Sequence, residues 1–185
     1  MINNKEHTVA WQQELRTLEN REAWDQAIEL LKQTIAQIPL CMDAYMNMNY
    51  VLMNLLVDEN EDENETSNFS SYEKMAKKYF KESFAKFSDN PEYLFFTGVT
   101  ASMAESYFDI DTKQVQQMFQ KAMQLEPESI LYRWGYCAYV DIESKESQAK
   151  SSEYTKVITQ VKSPIKAMLL TKGSLGEYVL EMMEC

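Results

Sequence analysis

The chain has 185 residues, of which 45% are apolar and 25% charged, and its formal net charge at pH 7 is −11. These apolar residues suffice for one compact domain with a buried core, which excludes a disordered acidic tail. Only 4 Gly and 4 Pro occur, whereas Met, Leu, Gln, Glu and Ala are frequent. Because these frequent residues favour helices, the composition predicts an all-α fold.

Negative charge is concentrated in the second quarter of the chain. Residues 41–70 contain seven carboxylates and no Lys or Arg. An anionic surface repels phosphate backbones and attracts cationic groups. Nucleic-acid binding is therefore disfavoured, and a basic protein is the expected kind of partner.

Residues that carry chemistry are scarce. His7 is the only histidine, and Cys41, Cys137 and Cys185 lack Cys-x-x-Cys spacing, so neither a disulfide framework nor a metal site is expected. Cys41 stands at a predicted helix start, where the helix dipole would stabilise a thiolate, but no histidine is placed to act as its base. We expect no cofactor and no catalysis. The sequence also lacks a long apolar run and the apolar core of a signal peptide, which predicts a cytoplasmic protein without membrane attachment.

Apolar residues recur at helical spacing along almost the whole chain, and no segment alternates as a strand should. One stripe runs from Trp24 to Ile38, and another runs from Val115 to Met123. The short connections between helices favour antiparallel hairpins. In chain order, the predicted helices are 8–19, 21–38, 41–57, 70–87, 91–107, 112–125, 128–141, 148–162, 164–172 and 174–183.

Residues that begin and end helices support these bounds. Asn90-Pro91 and Ser163-Pro164 place a capping residue before a first-turn proline, and Gly173 suits a C-terminal stop. A capping box joins a Ser to a Glu three residues later. Two pairs fit that pattern: Ser70 with Glu73, and Ser174 with Glu177.

The second helices of three successive pairs share an internal pattern. A small or apolar residue is followed by a large apolar residue, a small residue and a turn. The sets are Ala27, Leu31, Thr34 and Pro39; Ala76, Phe80, Ser83 and Ser88; and Val115, Phe119, Ala122 and Pro127. With Trp11, Leu94 and Gly98 in first helices, the pattern resembles the tetratricopeptide repeat, which implies a short solenoid of stacked hairpins over about residues 8–141. We expect one domain, 1–185, with an acidic insertion at 58–69 and capping helices in 142–185.

The insertion contains the most distinctive local feature, the segment DENEDENE. Its carboxylates are Asp58, Glu59, Glu61, Asp62, Glu63 and Glu65. A calcium-binding EF-hand loop needs Gly at its sixth position and Glu at its twelfth, where this segment has Glu63 and Phe69, so no metal is expected. Two interpretations stay open: a solvated loop of mutually repelling charges, or an anionic finger that pairs with a basic cluster on a partner.

The repeat register also defines a candidate groove. First helices line the concave side of such a solenoid, and residues one position past the core-facing positions point into it. They are Asp43, Met46, Tyr50, Met53, Phe95, Val99 and Trp134. If exposed, this apolar and aromatic strip would bind a protein, with Asp43, Met46, Tyr50 and Phe95 as candidate contacts. Alternatively it is core, because Leu175, Tyr178, Val179, Met182 and Met183 offer a helix face that would fill the groove in cis.

Two segments, CMDAYMNMNYVLMNLL and NPEYLFFTGVTASMAESYF, resemble in overall texture the helical immunity proteins of bacterial contact-dependent or polymorphic toxin systems. This resemblance implies an inhibitor that neutralises a cognate basic, nuclease-type toxin by stoichiometric occlusion. The acidic insertion would seek cations, and aromatic side chains such as Tyr50 would supply anchors. An acidic tetratricopeptide-type chaperone or adaptor, which holds an extended peptide of a secreted protein, is the alternative. The oligomeric state stays open.

Overall fold

A computed structural model describes the backbone of residues 4–58 and 66–184 and the side chains of residues 11–57 and 68–184. These residues form ten α-helices, one short 3₁₀ helix and no strand, which confirms the all-α prediction. The helices are α1 (Asn4–Glu19), α2 (Trp24–Gln37), α3 (Met42–Asp58), α4 (Thr66–Phe87), α5 (Pro91–Ser102), α6 (Thr112–Leu125), α7 (Ile130–Tyr139), α8 (Lys145–Ile158), α9 (Pro164–Leu170) and α10 (Ser174–Glu184). The 3₁₀ helix, Glu105–Phe108, lies between α5 and α6.

Consecutive helices pack as antiparallel hairpins. Near the start of α3, the Tyr45 ring lies 5.8 Å from the Phe87 ring at the end of α4. One turn further along α3, the Asn49 amide donates to the Ser83 hydroxyl at 3.4 Å, one turn earlier in α4. The first helices of successive hairpins then pack side by side, α3 against α5 and α5 against α7. This stacking is the solenoid that the repeat pattern predicted.

Helices α5 and α7 pack closely against the Phe119 ring of α6. A methyl group added to Gly98 of α5 would lie 3.1 Å from that ring, and one added to Gly135 of α7 would lie 2.9 Å from both Phe119 and Phe95. Phe119 is fully buried, and its ring stacks on Tyr139 at 4.4 Å. Glycine at these two places therefore allows α5 and α7 to approach an aromatic ring of α6 closely.

Two predicted helix caps are confirmed, whereas the two predicted capping boxes do not form, although α10 begins at Ser174 as expected. The Asn90 side chain accepts a hydrogen bond from the Tyr93 amide at 3.1 Å, and Ser163 accepts one from the Lys166 amide at 3.3 Å. The Ser70 capping box does not form, because α4 begins earlier, at Thr66. The Ser174 box does not form either, since the Ser174 hydroxyl donates to a carboxylate of α1 instead.

The predicted helix 91–107 is too long. α5 ends at Ser102, whose hydroxyl donates to the Val99 carbonyl at 2.8 Å, a local bond that competes with continued helix. The chain then forms the 3₁₀ turn and adopts a left-handed φ of 59° at Asp109. This turn directs the buried Phe108 ring onto Phe80, with ring centroids 5.3 Å apart. Core packing therefore ends the helix where periodicity alone would continue it.

Replacement of Gly135 by alanine tests the close contact at Phe119. Although alanine favours a helix by about 1 kcal/mol, its methyl group would collide with two buried rings. We expect a net loss of about 1–2 kcal/mol in the free energy of unfolding, measured by urea denaturation. Ser152→Ala on the exposed face of α8 is the control and should change stability little. A Gly135→Ala protein more stable than the native chain would show that the three helices are not tightly packed.

Candidate protein-binding groove

The groove lies across the first helices of the hairpins, and the C-terminal helix α10 fills it. The Arg16 guanidinium of α1 pairs with Glu177 of α10. The Tyr50 ring of α3 lies 5.5 Å from the Tyr178 ring of α10. α10 also packs against α5. The face that a solenoid of this kind presents to ligands is therefore covered by the chain itself.

The candidate anchors are buried beneath this helix or in the hairpin core. Met46, Tyr50 and Phe95 are 1%, 9% and 0% exposed. Phe95 packs into an aromatic cluster, with its ring 5.6 Å from the Tyr132 ring and 6.2 Å from the Trp134 ring. Of the two interpretations of the apolar strip, the one in which the C-terminal helix fills the groove describes this structure. The physical reason is that α10 supplies the apolar face that these side chains need to leave water.

Asp43, the remaining groove candidate, forms an ion pair. Its carboxylate accepts a hydrogen bond from the Lys172 ammonium at 2.8 Å. Lys172 lies in the turn before α10, contacts the Glu92 carboxylate of α5 as well, and has its nitrogen 5.8 Å from the centre of the Phe96 ring. Only 13% of the Lys172 side chain is exposed. The ion pair therefore joins the C-terminal hairpin to the starts of α3 and α5.

Opposing effects set the pKa of Lys172. Burial lowers the pKa of this ammonium, but the hydrogen bonds and negative charges of Asp43 and Glu92 outweigh burial and raise it above its ordinary value. The ammonium is therefore charged at neutral pH. Because the folded-state pKa is raised, its contribution to stability is complete at neutral pH and is lost only as the pH rises through that value.

A second polar contact holds α10 at its first residue. The Ser174 hydroxyl donates to Oε2 of Glu19 at 2.5 Å, and Oε1 of Glu19 accepts no hydrogen bond from the part of the chain that the structure describes. Glu19 is only 9% exposed. Burial raises the pKa of this carboxyl, while Ser174 and Arg16 lower it and Glu177 raises it further. A cavity of about 250 Å³ lies beside these residues, between α1, α3 and the α9–α10 turn.

The acidic segment lies mostly outside the described residues. Glu59, Glu61, Asp62, Glu63 and Glu65 belong to 59–65, and Asp58 is the last residue of α3. Residues 66–69, which the sequence assigned to the insertion, belong to α4. Beside them lies the 3₁₀ helix, since the Phe69 ring is 5.7 Å from the Tyr107 ring. The acidic connection between α3 and α4 therefore starts and ends next to the connection between α5 and α6.

The expectation for Cys41 also changes. Burial raises the pKa of its thiol, Asp43 adds to the rise, and the Ala44 amide and Lys172 oppose it. The environment thus disfavours the thiolate that a helix start was expected to stabilise. Within residues 4–58 and 66–184, no group of three or more His, Cys, Asp or Glu side chains is arranged to hold a metal ion, and no helix is long and apolar enough to cross a bilayer.

Sequence reasoning identified Asp43 but missed its partners. Lys172 follows Asp43 by 129 residues, and Glu92 lies in another hairpin. Neither position breaks a helical pattern or forms a motif. The only sequence signal was Lys172-Gly173 before a predicted helix, which indicates a turn but not the carboxylates that it meets.

Comparisons with known proteins support the fold. No family model matches the chain, and no curated protein does. Among solved structures, a thermophilic TPR protein from Thermus thermophilus is similar, with a TM-score of 0.53 and 14% identity over 90% of this chain and 79% of the other. The chain therefore has a tetratricopeptide-like helical fold. The resemblance to immunity proteins receives no support from these comparisons.

Replacement of Lys172 by methionine tests the ion pair that holds the C-terminal hairpin. The change leaves two carboxylates close together without their cation, so we expect the free energy of unfolding to fall by about 3 kcal/mol at pH 7. Urea denaturation measures this change. Lys150→Met removes an exposed helical pair with Glu146 and serves as the control. Equal stability of the two variants would contradict a structural role for Lys172.

Replacement of Glu19 by glutamine tests the buried carboxyl. A raised folded-state pKa makes the native protein less stable as the pH rises from about 4.5 through the raised value. Glutamine removes this penalty, so Glu19→Gln should gain stability relative to the native chain between pH 4 and pH 7, by about 1 kcal/mol. Thermal denaturation at the two pH values measures the difference. The exposed Glu14→Gln control should show no such gain, and a pH-independent effect of Glu19→Gln would refute the prediction.

Proposed function

We propose that this chain binds a folded, basic protein and inhibits it stoichiometrically, as an immunity protein does with a nuclease-type toxin, without performing chemistry itself. The single observation that carries the proposal is that α10 closes the groove. A cytoplasmic location, where such an inhibitor would protect its own cell, is part of this proposal.

The occupied groove favours a folded partner over an extended peptide. A chaperone of the open-groove kind needs the concave face free, yet Leu175 and Val179 of α10 are fully buried against it. A folded partner needs no such groove, because it docks on surface that is already exposed. The similarity to a TPR protein supports a role in protein binding in general. That the partner is folded is argued from the closed groove alone.

The topology gathers negative charge at one end of the stack. Because the hairpins are antiparallel, the connections α1–α2, α3–α4, α5–α6 and α7–α8 all occur at the same end. Residues 20–23 contain one Arg and one Glu. Residues 59–65, 103–111 and 140–144 contain five, three and two carboxylates, respectively, and no Lys or Arg. At the opposite end, the connection 38–41 has no charged residue, and 88–90 and 126–129 have one and two carboxylates. The sequence thus has an excess of carboxylates in each of the three connections α3–α4, α5–α6 and α7–α8.

An anionic surface of this kind affects the rate and the orientation with which a partner associates. Complementary charge raises the encounter rate with a basic protein and selects an orientation, and salt screens both effects. A nuclease that binds phosphates offers a cationic surface of this type. Contact with the anionic end would cover that surface and exclude the substrate.

The alternative, an adaptor or chaperone that receives a segment of a secreted protein, is favoured by one observation. α10 shows that the groove accommodates an amphipathic helix with Leu175, Val179, Leu180 and Met183 on its buried face. A partner helix would have to replace α10. The two functions differ in whether binding requires movement of the C-terminal helix.

Neutralisation of Glu61, Asp62 and Glu63 to Gln, Asn and Gln tests the proposed function. The probe is the folded basic C-terminal domain of any secreted protein whose gene lies next to that of this chain, and association is followed by stopped-flow fluorescence at several salt concentrations. We expect association to slow about tenfold at low salt and its salt dependence to weaken. Thermal stability should change little, which separates an effect on association from a loss of folded protein.

A matched triple variant controls for net charge alone. Asp89→Asn, Glu126→Gln and Glu128→Gln remove three exposed carboxylates at the opposite end of the stack. This variant should slow association less than the first. Equal slowing by the two variants would show that the anionic end has no specific role in association. If the chain bound a short peptide but not the folded domain, the adaptor function would be supported and inhibition contradicted.

A further inference from the structure

We propose that a cavity between α4 and α6, on the outer face of the stack, binds a small amphipathic carboxylate of the medium-chain fatty-acid class. These two second helices belong to neighbouring hairpins and line opposite sides of the cavity. The groove that α10 fills lies across the first helices instead. The site is therefore separate from that groove, and the inference does not rest on the proposed function.

The cavity has the size and the lining of a small-molecule site. Its volume is about 340 Å³, within the range of pockets that hold such ligands. The apolar residues that line it are Phe80 and Phe84 of α4, Leu94 of α5, Ile110 of the α5–α6 connection and Met118 of α6. Leu94 and Met118 are almost fully buried, whereas the Phe84 side chain is 38% exposed. A hydrocarbon chain in the cavity would remove the Phe84 ring from water.

The fold leaves this space between two helices that pack mainly on other partners. α4 packs on α3 and on the 3₁₀ helix, while α6 packs on α5 and α7. At one end of the cavity, Ile110 comes from the connection whose Phe108 ring lies 5.3 Å from the Phe80 ring. Lys121 lines the cavity about two turns further along α6 than Gln114, a distance of about 10 Å along the helix axis. The site is thus elongated, with an apolar end and a cationic end.

The polar groups of the lining favour an anionic head group. They belong to Gln114, Gln117 and Lys121, each of which has N–H donors, and no carboxylate among the described residues lines the cavity. The Gln114 side-chain oxygen already accepts a hydrogen bond from the Asp111 amide at 2.9 Å, which leaves its NH₂ group as the donor. α4 contains five Lys and two Glu, and α6 contains two Lys and no acidic residue. In a chain with a net charge of −11, these two helices therefore offer a carboxylate a positive environment.

Lys121 is the residue that would hold the head group. Its ammonium donates to the Asp89 carboxylate at 2.6 Å. The side chains of Lys121 and Asp89 are 43% and 91% exposed, so this ion pair contributes little to stability. A ligand carboxylate can replace Asp89 at small cost, because Asp89 then returns to water. The hydrocarbon chain of the ligand adds apolar burial that Asp89 cannot supply.

Titration of the full chain with octanoate and hexanoate is the first test, followed by NMR of ¹³C-labelled methionine methyl groups. The Met118 methyl signal, assigned with a Met118→Leu variant, should shift and saturate. Octanoate should bind about tenfold more tightly than hexanoate, because it buries two more methylene groups. Gln117→Phe places a ring in the cavity from its exposed rim and should abolish binding. Gln120→Phe, on another face of α6, is the matched control and should bind octanoate as the native chain does.

A second test addresses the head group. Octanol has the same chain without the charge and should bind about tenfold more weakly than octanoate. Lys121→Met should weaken octanoate binding by a similar factor and leave octanol binding unchanged. Lys113→Met removes an exposed cation of the same helix outside the cavity and serves as the control. Asp89→Asn should strengthen octanoate binding about twofold to threefold, because it removes the competitor for Lys121.

Several results would overturn the proposal. The absence of a saturable Met118 shift up to about 1 mM octanoate would do so, as would full octanoate binding by Gln117→Phe. Equal binding of octanol and octanoate would exclude the carboxylate site. If an acidic peptide that contains phenylalanine shifted the Met118 signal and octanoate did not, the cavity would be a protein-docking site instead. None of these measurements uses a basic domain, so this proposal and the proposed function fail separately.

Discussion

The contact between Lys172 and the carboxylates of Asp43 and Glu92 is the interaction on which the rest of the arrangement depends. It is mostly buried, it joins parts of the chain 129 residues apart, and it fixes where α10 begins. Removal of the Lys172 ammonium costs more than loss of an exposed salt bridge, because two carboxylates that are only 28% and 32% exposed stay close together without their cation. This contact and the buried apolar face of α10 together hold the groove closed.

A closed groove changes how a tetratricopeptide-like fold can be used. The hairpin stack holds its first helices close together through Gly98 and Gly135 against the Phe119 ring, which leaves a continuous concave face. In this chain that face is core, since Met46, Tyr50 and Phe95 are buried. What remains exposed is the outer face of the second helices and the ends of the stack. The proposed docking of a folded partner uses surface of this kind, which the closure leaves unchanged.

Much of the fold could be predicted from local sequence, and the reason is physical. Helical periodicity, the caps at Asn90 and Ser163 and the scarcity of Gly and Pro each act within a few residues, and the helices form nearly where predicted. Predictions from local sequence were wrong where contacts between residues far apart in the chain determine the structure. α5 ends early because Phe108 packs on Phe80, and Ser174 does not cap α10 because its hydroxyl meets Glu19.

The sequence by itself determined the helices, their pairing into hairpins and the placement of acidic residues in alternate connections, because these depend on spacing along the chain. Only the tertiary structure decided that α10 lies in the groove and that Asp43 meets Lys172. Both readings of the apolar strip, exposed surface or core, have the same sequence pattern. The outcome depends on whether α10 is more stable when packed on that face than at any other position. This difference in free energy is a property of the whole fold.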